Sequence, residues 1–334
     1  MTLIEKLQRA KEIDANHQGI KRLNRSTNDP MPLSFAQERF WFLDQLNSEN
    51  PLSNRTFAWK LTGPYDHTVL TQAISAIIER HTIFRTAIIT KNNRPEAVLH
   101  PPSSVEIPLI DLTHQPESIQ TEIGNLAKES IGIDHPLLLK GSVLKLDDQI
   151  HIALFVMHHV AFDALSEEIF KHEFSILYES YLGETEPKLP PLPIQLSDFA
   201  HWQREHLTKE RLAKSEAFWI QQLEDAPQIL PLPHDHPRPE TDSYKGETQT
   251  IHLPHGFVDK VKQFSQQHNT TLFTTLLSTF FVLLKRYTGQ DDILVASPVT
   301  GRNQPKPLSS RLDLCVTMIP QIFWRCCALS CVTT

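Results

Sequence analysis

Glycine is scarce in this chain, at 10 of 334 residues. None of the ten forms G-x-G-x-x-G or a phosphate-cradling P-loop, which argues against a dinucleotide or ATP held by the usual loops. No G-x-S-x-G elbow occurs either, so a hydrolase of that kind is disfavoured. No apolar run approaches the roughly 20 residues of a membrane span. Positive charge is also short. Lys and Arg number 32 against 39 Asp and Glu, a net charge of -7, whereas nucleic-acid and anionic-membrane binders need a positive face. Cysteine is absent up to residue 314, then appears as Cys315, Cys326, Cys327 and Cys331. A disulfide framework would be spread through the fold, and a zinc site would be better spaced, so the tail differs in composition from the rest. Met1 to Arg25 is polar and mixed in charge, with no secretory core, and a cytoplasmic setting is the expectation.

What is present centres on Val156-Met157-His158-His159-Val160-Ala161-Phe162-Asp163-Ala164. The residues before it, Ile150 to Met157, are apolar and free of Gly and Pro, which predicts a buried strand. After it, Leu165, Ile169, Phe170, Phe174, Leu177 and Tyr181 recur at helical spacing up to Leu182. Two histidines and an aspartate therefore sit at a strand-to-helix turn. Histidine titrates at about 6.5 when unperturbed and can take and return a proton near neutrality. Neighbours on a strand point to opposite faces, so one histidine is expected to face a cavity and the other to pack. Opposed histidines cannot share one metal ion. Asp163 could orient a histidine, pair with a buried arginine, or cap the helix.

The flanking sequence alternates strands and helices, which is an α/β pattern. A short amphipathic leader over Met1 to Leu23 carries Leu3, Ile4, Leu7, Ala10 and Ile13, and 28–32 breaks it. Ser34 and Gln37 have capping-box spacing, with Phe40, Trp41 and Leu43 expected to pack inward. Strands are predicted at 57–62, 84–90, 98–100, 143–146, 150–157, 246–253 and 293–298. Helices are predicted at 69–81, 118–130, 165–182, 197–223, 258–268 and 272–287. Proline-rich stretches at 187–193 and 227–239 read as connectors.

Several stretches together resemble the condensation domains of nonribosomal peptide synthetases. Ser34-Phe35-Ala36-Gln37-Glu38-Arg39-Phe40-Trp41 resembles S-x-A-Q-x-R-L-W. Arg80-His81-Thr82-Ile83-Phe84-Arg85-Thr86 resembles R-H-E-x-L-R-T, with Thr82 where Glu is usual. Met157 to Ala164 resembles M-H-H-x-x-x-D-G, with Ala164 where Gly is usual. Ser197-Asp198-Phe199-Ala200-His201-Trp202 resembles Y-x-D-F-A-x-W, and Pro298 to Asn303 is similar to the segment before the fifth motif. Five motifs in order, over about Pro32 to Gln321, are specific where one would not be.

The resemblance implies a chloramphenicol-acetyltransferase-like fold, with two α/β lobes in a V around a tunnel. It implies residues 1–30 as leader, 31–188 as the first lobe with the histidine motif, and 189–334 as a partial second lobe. The tail after about 321 falls outside the resemblance, and the second lobe is expected to be incomplete, through truncation or a shifted reading frame. Apolar surface should then be exposed at 272–284 and 319–323. Donor and acceptor peptidyl carrier domains would present thioesters on phosphopantetheine, an adenylation domain would belong to the larger synthetase, and no cofactor would be bound by this chain. His159 matches the tunnel-facing catalytic histidine. His158 and Asp163 match supporting positions, with Arg85 the expected partner of Asp163. If Ala164 required positive φ, it would cost about 1 kcal/mol or more. An inactive remnant that binds carrier domains, an epimerising relative and a stand-alone acyltransferase are the alternatives.

Overall fold

The computed structural model describes residues 20–23, 31–46, 53–227, 229–237, 247, 249–297 and, for the backbone, 322–326. The expected leader up to residue 19, the break at 28–30, the segment at 298–303, Cys315 and the tail cysteines beyond Cys326 lie outside these residues. The chain divides into two compact units, one reaching Thr208 and the other starting at Lys209.

The first unit is built on a four-stranded sheet with order β1-β6-β5-β4. Its strands are β1 (Asn54–Thr62), β4 (Leu109–Asp111), β5 (Leu139–Lys145) and β6 (Ile150–His158). β6 lies between β1 and β5 and is antiparallel to both. β4 pairs parallel with β5, a short strand that the apolar pattern did not reveal. β6 is central, which explains its unbroken apolar run: a strand covered on both faces has no polar side to alternate with. Gly141 allows the close pairing of β5. A Cβ there would stand 2.9 Å from both the Leu154 carbonyl oxygen and the Phe155 ring.

Among the described residues this unit has five α-helices: α1 (Phe35–Leu46), α2 (His67–Arg80), α3 (Ile119–Lys128), α4 (Ala164–Leu182) and α5 (Leu196–His206). α2 and α4 contribute to the core through Leu70, Ile74, Ile77, Phe170, Phe174 and Leu177. A hairpin of β2 (Thr86–Lys91) and β3 (Arg94–Leu99) turns at Asn92 and Asn93, whose φ of 51° and 58° suit a left-handed two-residue turn. β2 begins two residues later than the apolar run suggests, because Thr82–Arg85 is a 3₁₀ turn.

The second unit contains α6 (Lys209–Leu223), α7 (Phe257–Gln267) and α8 (Leu272–Thr288), with β7 (Ile293–Ser297) antiparallel to β8 (Ile322–Cys326). Two expectations fail here. The single helix predicted over 197–223 is two helices, broken at Leu207 and Thr208. Within the predicted strand at 246–253, the described residues form no strand. The helix break also decides the boundary. α5 places Leu196 and Phe199 in the core of the first unit, although sequence assigned residues from 189 onward to the second lobe.

Candidate active site

β6 ends at His158, and the chain leaves the sheet at once. The His158 amide donates to the Leu138 carbonyl at 3.2 Å, the last bond to β5. The Ala161 amide then donates back to the His158 carbonyl at 2.9 Å, closing a turn. The last pairing toward β5 is therefore made by His158, and His159 lies in the turn. Both imidazoles meet one aromatic ring, that of Phe40 on α1. The ring centroids are 6.2 Å apart for His158, edge to face, and 5.2 Å for His159, tilted by 37°.

The two histidines differ in access. His158 is 1% exposed. Its Nδ1 accepts the Val160 amide at 3.0 Å, so the neutral ring carries its proton on Nε2. Nε2 is buried and meets no acceptor among the described residues. Burial, reinforced by the neighbouring His159, pushes the His158 pKa down to about 4. His158 is thus a neutral packing residue near pH 7. His159 is half-buried. Its amide donates to the Ser53 carbonyl at 2.6 Å, which ties the turn to the start of β1. Its Nδ1 is buried without a partner among the described residues, and its Nε2 is not among the enclosed, unpartnered atoms.

Asp163 is the N-cap of α4. Its Oδ1 accepts the Ser166 amide at 2.8 Å and the Ser166 hydroxyl at 2.7 Å, so of the three roles open to Asp163 the structure shows the cap. The pairing with Arg85 is not formed. Arg85 donates from Nη1 to the His100 carbonyl at 2.6 Å, and its Nε is buried without a partner among the described residues. Burial lowers the Arg85 pKa, and the Glu79 carboxylate opposes that shift. The reason is local geometry: Arg85 ends the 3₁₀ turn and reaches along the β2–β3 hairpin. Ala164 is the first residue of α4, exposed and with ordinary helical φ. The position makes no demand for positive φ, and the conformational cost expected for alanine does not arise.

Sequence reasoning missed a buried carboxylate on α4. Glu173 is fully buried, with Oε1 3.1 Å from Arg80 Nε and Oε2 2.8 Å from His81 Nε2. Gln195 closes the same corner. Its Oε1 accepts the Thr82 amide and hydroxyl at 3.2 and 3.0 Å, and its Nε2 donates to the Arg80 carbonyl. Thr82 therefore makes, with a hydroxyl, contacts at the position where the motif has Glu. The signal was present in the helical phase: Glu173 lies between Ile169, Phe170, Phe174 and Leu177 on the inward stripe. This corner is linked to the histidines by backbone, since the Leu138 amide donates to the Phe84 carbonyl at 2.7 Å and the Leu138 carbonyl accepts from His158. Phe162, within the motif, stacks on Phe57 of β1 at 5.3 Å and 9°.

Among the described residues no group of three or more His, Cys, Asp or Glu could hold a metal ion. Among the same residues no helix is long and apolar enough to cross a membrane.

With this geometry in view, the comparisons with known proteins are specific. A family model described as "Condensation domain" matches residues 27–321. A linear gramicidin synthase of Brevibacillus parabrevis is 38% identical over 285 residues, which is 84% of this chain but 6% of that protein. The chain therefore spans a small fraction of the synthetase it matches. The first condensation domain of the calcium-dependent antibiotic synthetase superposes with a TM-score of 0.75 at 17% identity, over 90% of this chain and 70% of that one. The SgcC5 protein from Streptomyces globisporus superposes with a TM-score of 0.67 at 28% identity, over 90% and 69%. The architecture is the chloramphenicol-acetyltransferase-like fold of condensation domains. The histidine turn, the capping aspartate and the α1 contact thus sit in a chain that belongs to the condensation-domain family of nonribosomal peptide synthetases.

Proposed function

We propose that this domain forms an amide between a carrier-bound acyl or peptidyl thioester and the amine of a carrier-bound aminoacyl acceptor. The amine nitrogen attacks the thioester carbonyl and a C–N bond forms. The C–S bond breaks, and the sulfur leaves as a thiol once it has gained a proton. His159 takes the proton from the attacking amine at Nε2 and returns it to the leaving sulfur. The reaction needs positioning and one proton acceptor, and no bound cofactor. The observation that carries the reading is the difference between adjacent histidines: His158 is enclosed and held neutral, while His159 is half-buried.

In this reading His158 and Asp163 support the turn, Ala164 opens the helix after it, Arg85 anchors the β2–β3 hairpin, and none of them touches substrate. The first unit is the lobe that carries the histidine motif, and the second unit belongs to the other lobe. Donor and acceptor peptidyl carrier domains deliver both substrates on phosphopantetheine, beside an adenylation domain of a larger synthetase. A cytoplasmic setting is part of the same proposal.

The test is amide synthesis by the full chain, with aminoacyl thioesters loaded on carrier domains and products followed by mass spectrometry. His159→Ala is expected to lower the rate by about 100-fold or more, the scale of general acid–base catalysis. A His159→Ala variant at the parent rate, or a parent that makes no amide, overturns the reading. Binding of loaded carrier domains without synthesis would favour a carrier-binding module instead.

A further inference from the structure

We propose that Phe40 is a positioning residue that sets the ring plane of His159. This rests on the reading of His159 as the proton acceptor. A histidine that must present one nitrogen is commonly steered by a hydrogen bond on the other. Here Nδ1 of His159 is buried and has no acceptor among the described residues. The nearby carboxylate, Asp163, directs Oδ1 to Ser166 as a helix cap. The contact that remains on the imidazole is the Phe40 ring, 5.2 Å away and tilted by 37°. The same ring meets the enclosed His158 edge to face. One aromatic side chain therefore meets both imidazole rings.

The role requires that Phe40 itself be held, and its helix is pinned at several points. Ser34 and Gln37 cap the first turn of α1 reciprocally, with Gln37 N to Ser34 Oγ at 3.2 Å and Ser34 N to Gln37 Oε1 at 2.9 Å. α5 grips the same turn. Gln203 Oε1 accepts the Phe35 amide at 2.9 Å, and Arg204 Nε donates to the Leu33 carbonyl at 2.8 Å. The Arg204 guanidinium lies 4.0 Å over the Phe35 ring, and its Nη2 is 2.6 Å from Glu38 Oε1, an ion contact outside hydrogen-bond alignment. Trp41 Nε1 donates to Thr90 Oγ1 at 2.8 Å. Phe40 is 7% exposed. Helix α5, which carries the Ser197–Trp202 motif, thus reaches the histidines through α1 and Phe40.

An aromatic pair contributes about 0.5–1.5 kcal/mol beyond area burial, which converts to about a two- to tenfold change in rate. Phe40→Leu is therefore expected to lower amide synthesis by about that factor, in kcat more than in KM. The direct readout is the spectrum of ring-13C histidine in the full chain, with the His159 signal identified by its loss in His159→Ala. In the parent, the Phe40 ring current displaces the His159 ring signals; in Phe40→Leu that displacement disappears. Phe40→Tyr, which keeps the ring, restores both rate and displacement. Should Phe40→Leu fail to melt cooperatively, Phe40→Met fills the space without a ring and is judged by the same criteria. Unchanged His159 signals in the ring-less variant overturn the proposal, whatever the rate does. A parental rate in that variant overturns it too. The reading of His159 fails separately, if His159→Ala keeps the parental rate or the parent makes no amide.

Discussion

In the first unit Phe84, Phe155, Phe162 and Phe170 are fully enclosed, whereas in the second Phe273, Leu276, Phe280 and Val282 are about half exposed. Each unit has a long helix rich in apolar residues, α4 in the first and α8 in the second, so the composition of these two helices does not separate them. What differs is the surface available to cover each helix. α2 and α4 pack their inward stripes into the large core shared with β1 and β6. α8 buries Phe281 and Leu284 with Ile293 of β7, and α6 has no buried residue. Ser265 on α7 is enclosed through its hydroxyl, which contacts Thr275 of α8 at 2.7 Å. An amphipathic helix gains stability from packing rather than from propensity, so the two units are expected to respond differently to the same kind of change. Within the stretch 272–284, where exposure was expected, Phe273, Leu276, Phe280, Val282 and Leu283 are exposed whereas Phe281 and Leu284 are buried; 319–321 lie outside the described residues, and of 322–323 only the backbone is described.

The sharpest way to break that contrast is a matched pair of truncations. Phe170→Ala should cost about 3–5 kcal/mol, as for a large buried aromatic, while Phe280→Ala should stay within about 1 kcal/mol. Equal losses in urea titrations of the two variants would erase the distinction.

The next effect concerns charge inside the first unit. Glu173→Leu leaves Arg80 and His81 without their carboxylate, and breaking a buried pair this way costs about 3 kcal/mol or more. Arg80 keeps a bond to the Pro190 carbonyl and some exposure, which places the loss at the low end. Stability equal to the parent at pH 7 would mean that the corner is not held by this group.

Acid separates the units further. His158 has a folded pKa of about 4 against about 6.5 unfolded. The unfolded chain binds the proton first, so this contribution is intact above pH 6.5 and declines as pH falls towards 4. Between pH 7 and pH 5 the loss is about 2 kcal/mol. The protection of β6 amides, corrected for their intrinsic exchange rates, should therefore fall over that interval, and His158→Gln should flatten the slope. A parent whose β6 amides exchange with the same protection at both pH values would contradict the enclosed, neutral His158.

The smallest expected effects are the helix caps, one in each unit. Asp163 caps α4 and Thr271 caps α8, each accepting the amide three residues on. Alanine at either should cost about 1 kcal/mol locally. Only Asp163→Ala should also lower amide synthesis, because the α4 cap adjoins the histidine turn. Asp163→Asn, which keeps an acceptor oxygen, should recover most of the stability. Loss of synthesis in Thr271→Ala as well would show that the site depends on both units.

Much of the fold was readable because period and length are local properties. The β6 run, the helical stripes of α2, α4 and α8, and the Asn92-Asn93 hairpin follow from neighbours in sequence. The capping box of Ser34 and Gln37 followed from spacing alone. The failures have a common physical origin in contacts distant along the chain. Leu43 was expected inside and is 36% exposed, because only part of the α1 stripe meets the core. The break at Leu207 and Thr208 has no Gly or Pro to announce it. Arg85 was assigned to Asp163 by motif, yet the hairpin carries it to the His100 carbonyl.

For the site, sequence by itself determined that two histidines and an aspartate lie where a buried strand gives way to a helix, and which of them match the condensation-domain motif. That much is set by apolar periodicity and residue order along one continuous segment. Only the tertiary structure decided which histidine is enclosed, that Asp163 caps α4, that Phe40 lies against both histidines and that Glu173 holds Arg80 and His81. Those outcomes depend on where α1, α2 and α5 pack, and burial and hydrogen-bond partners across such distances leave no trace in local spacing.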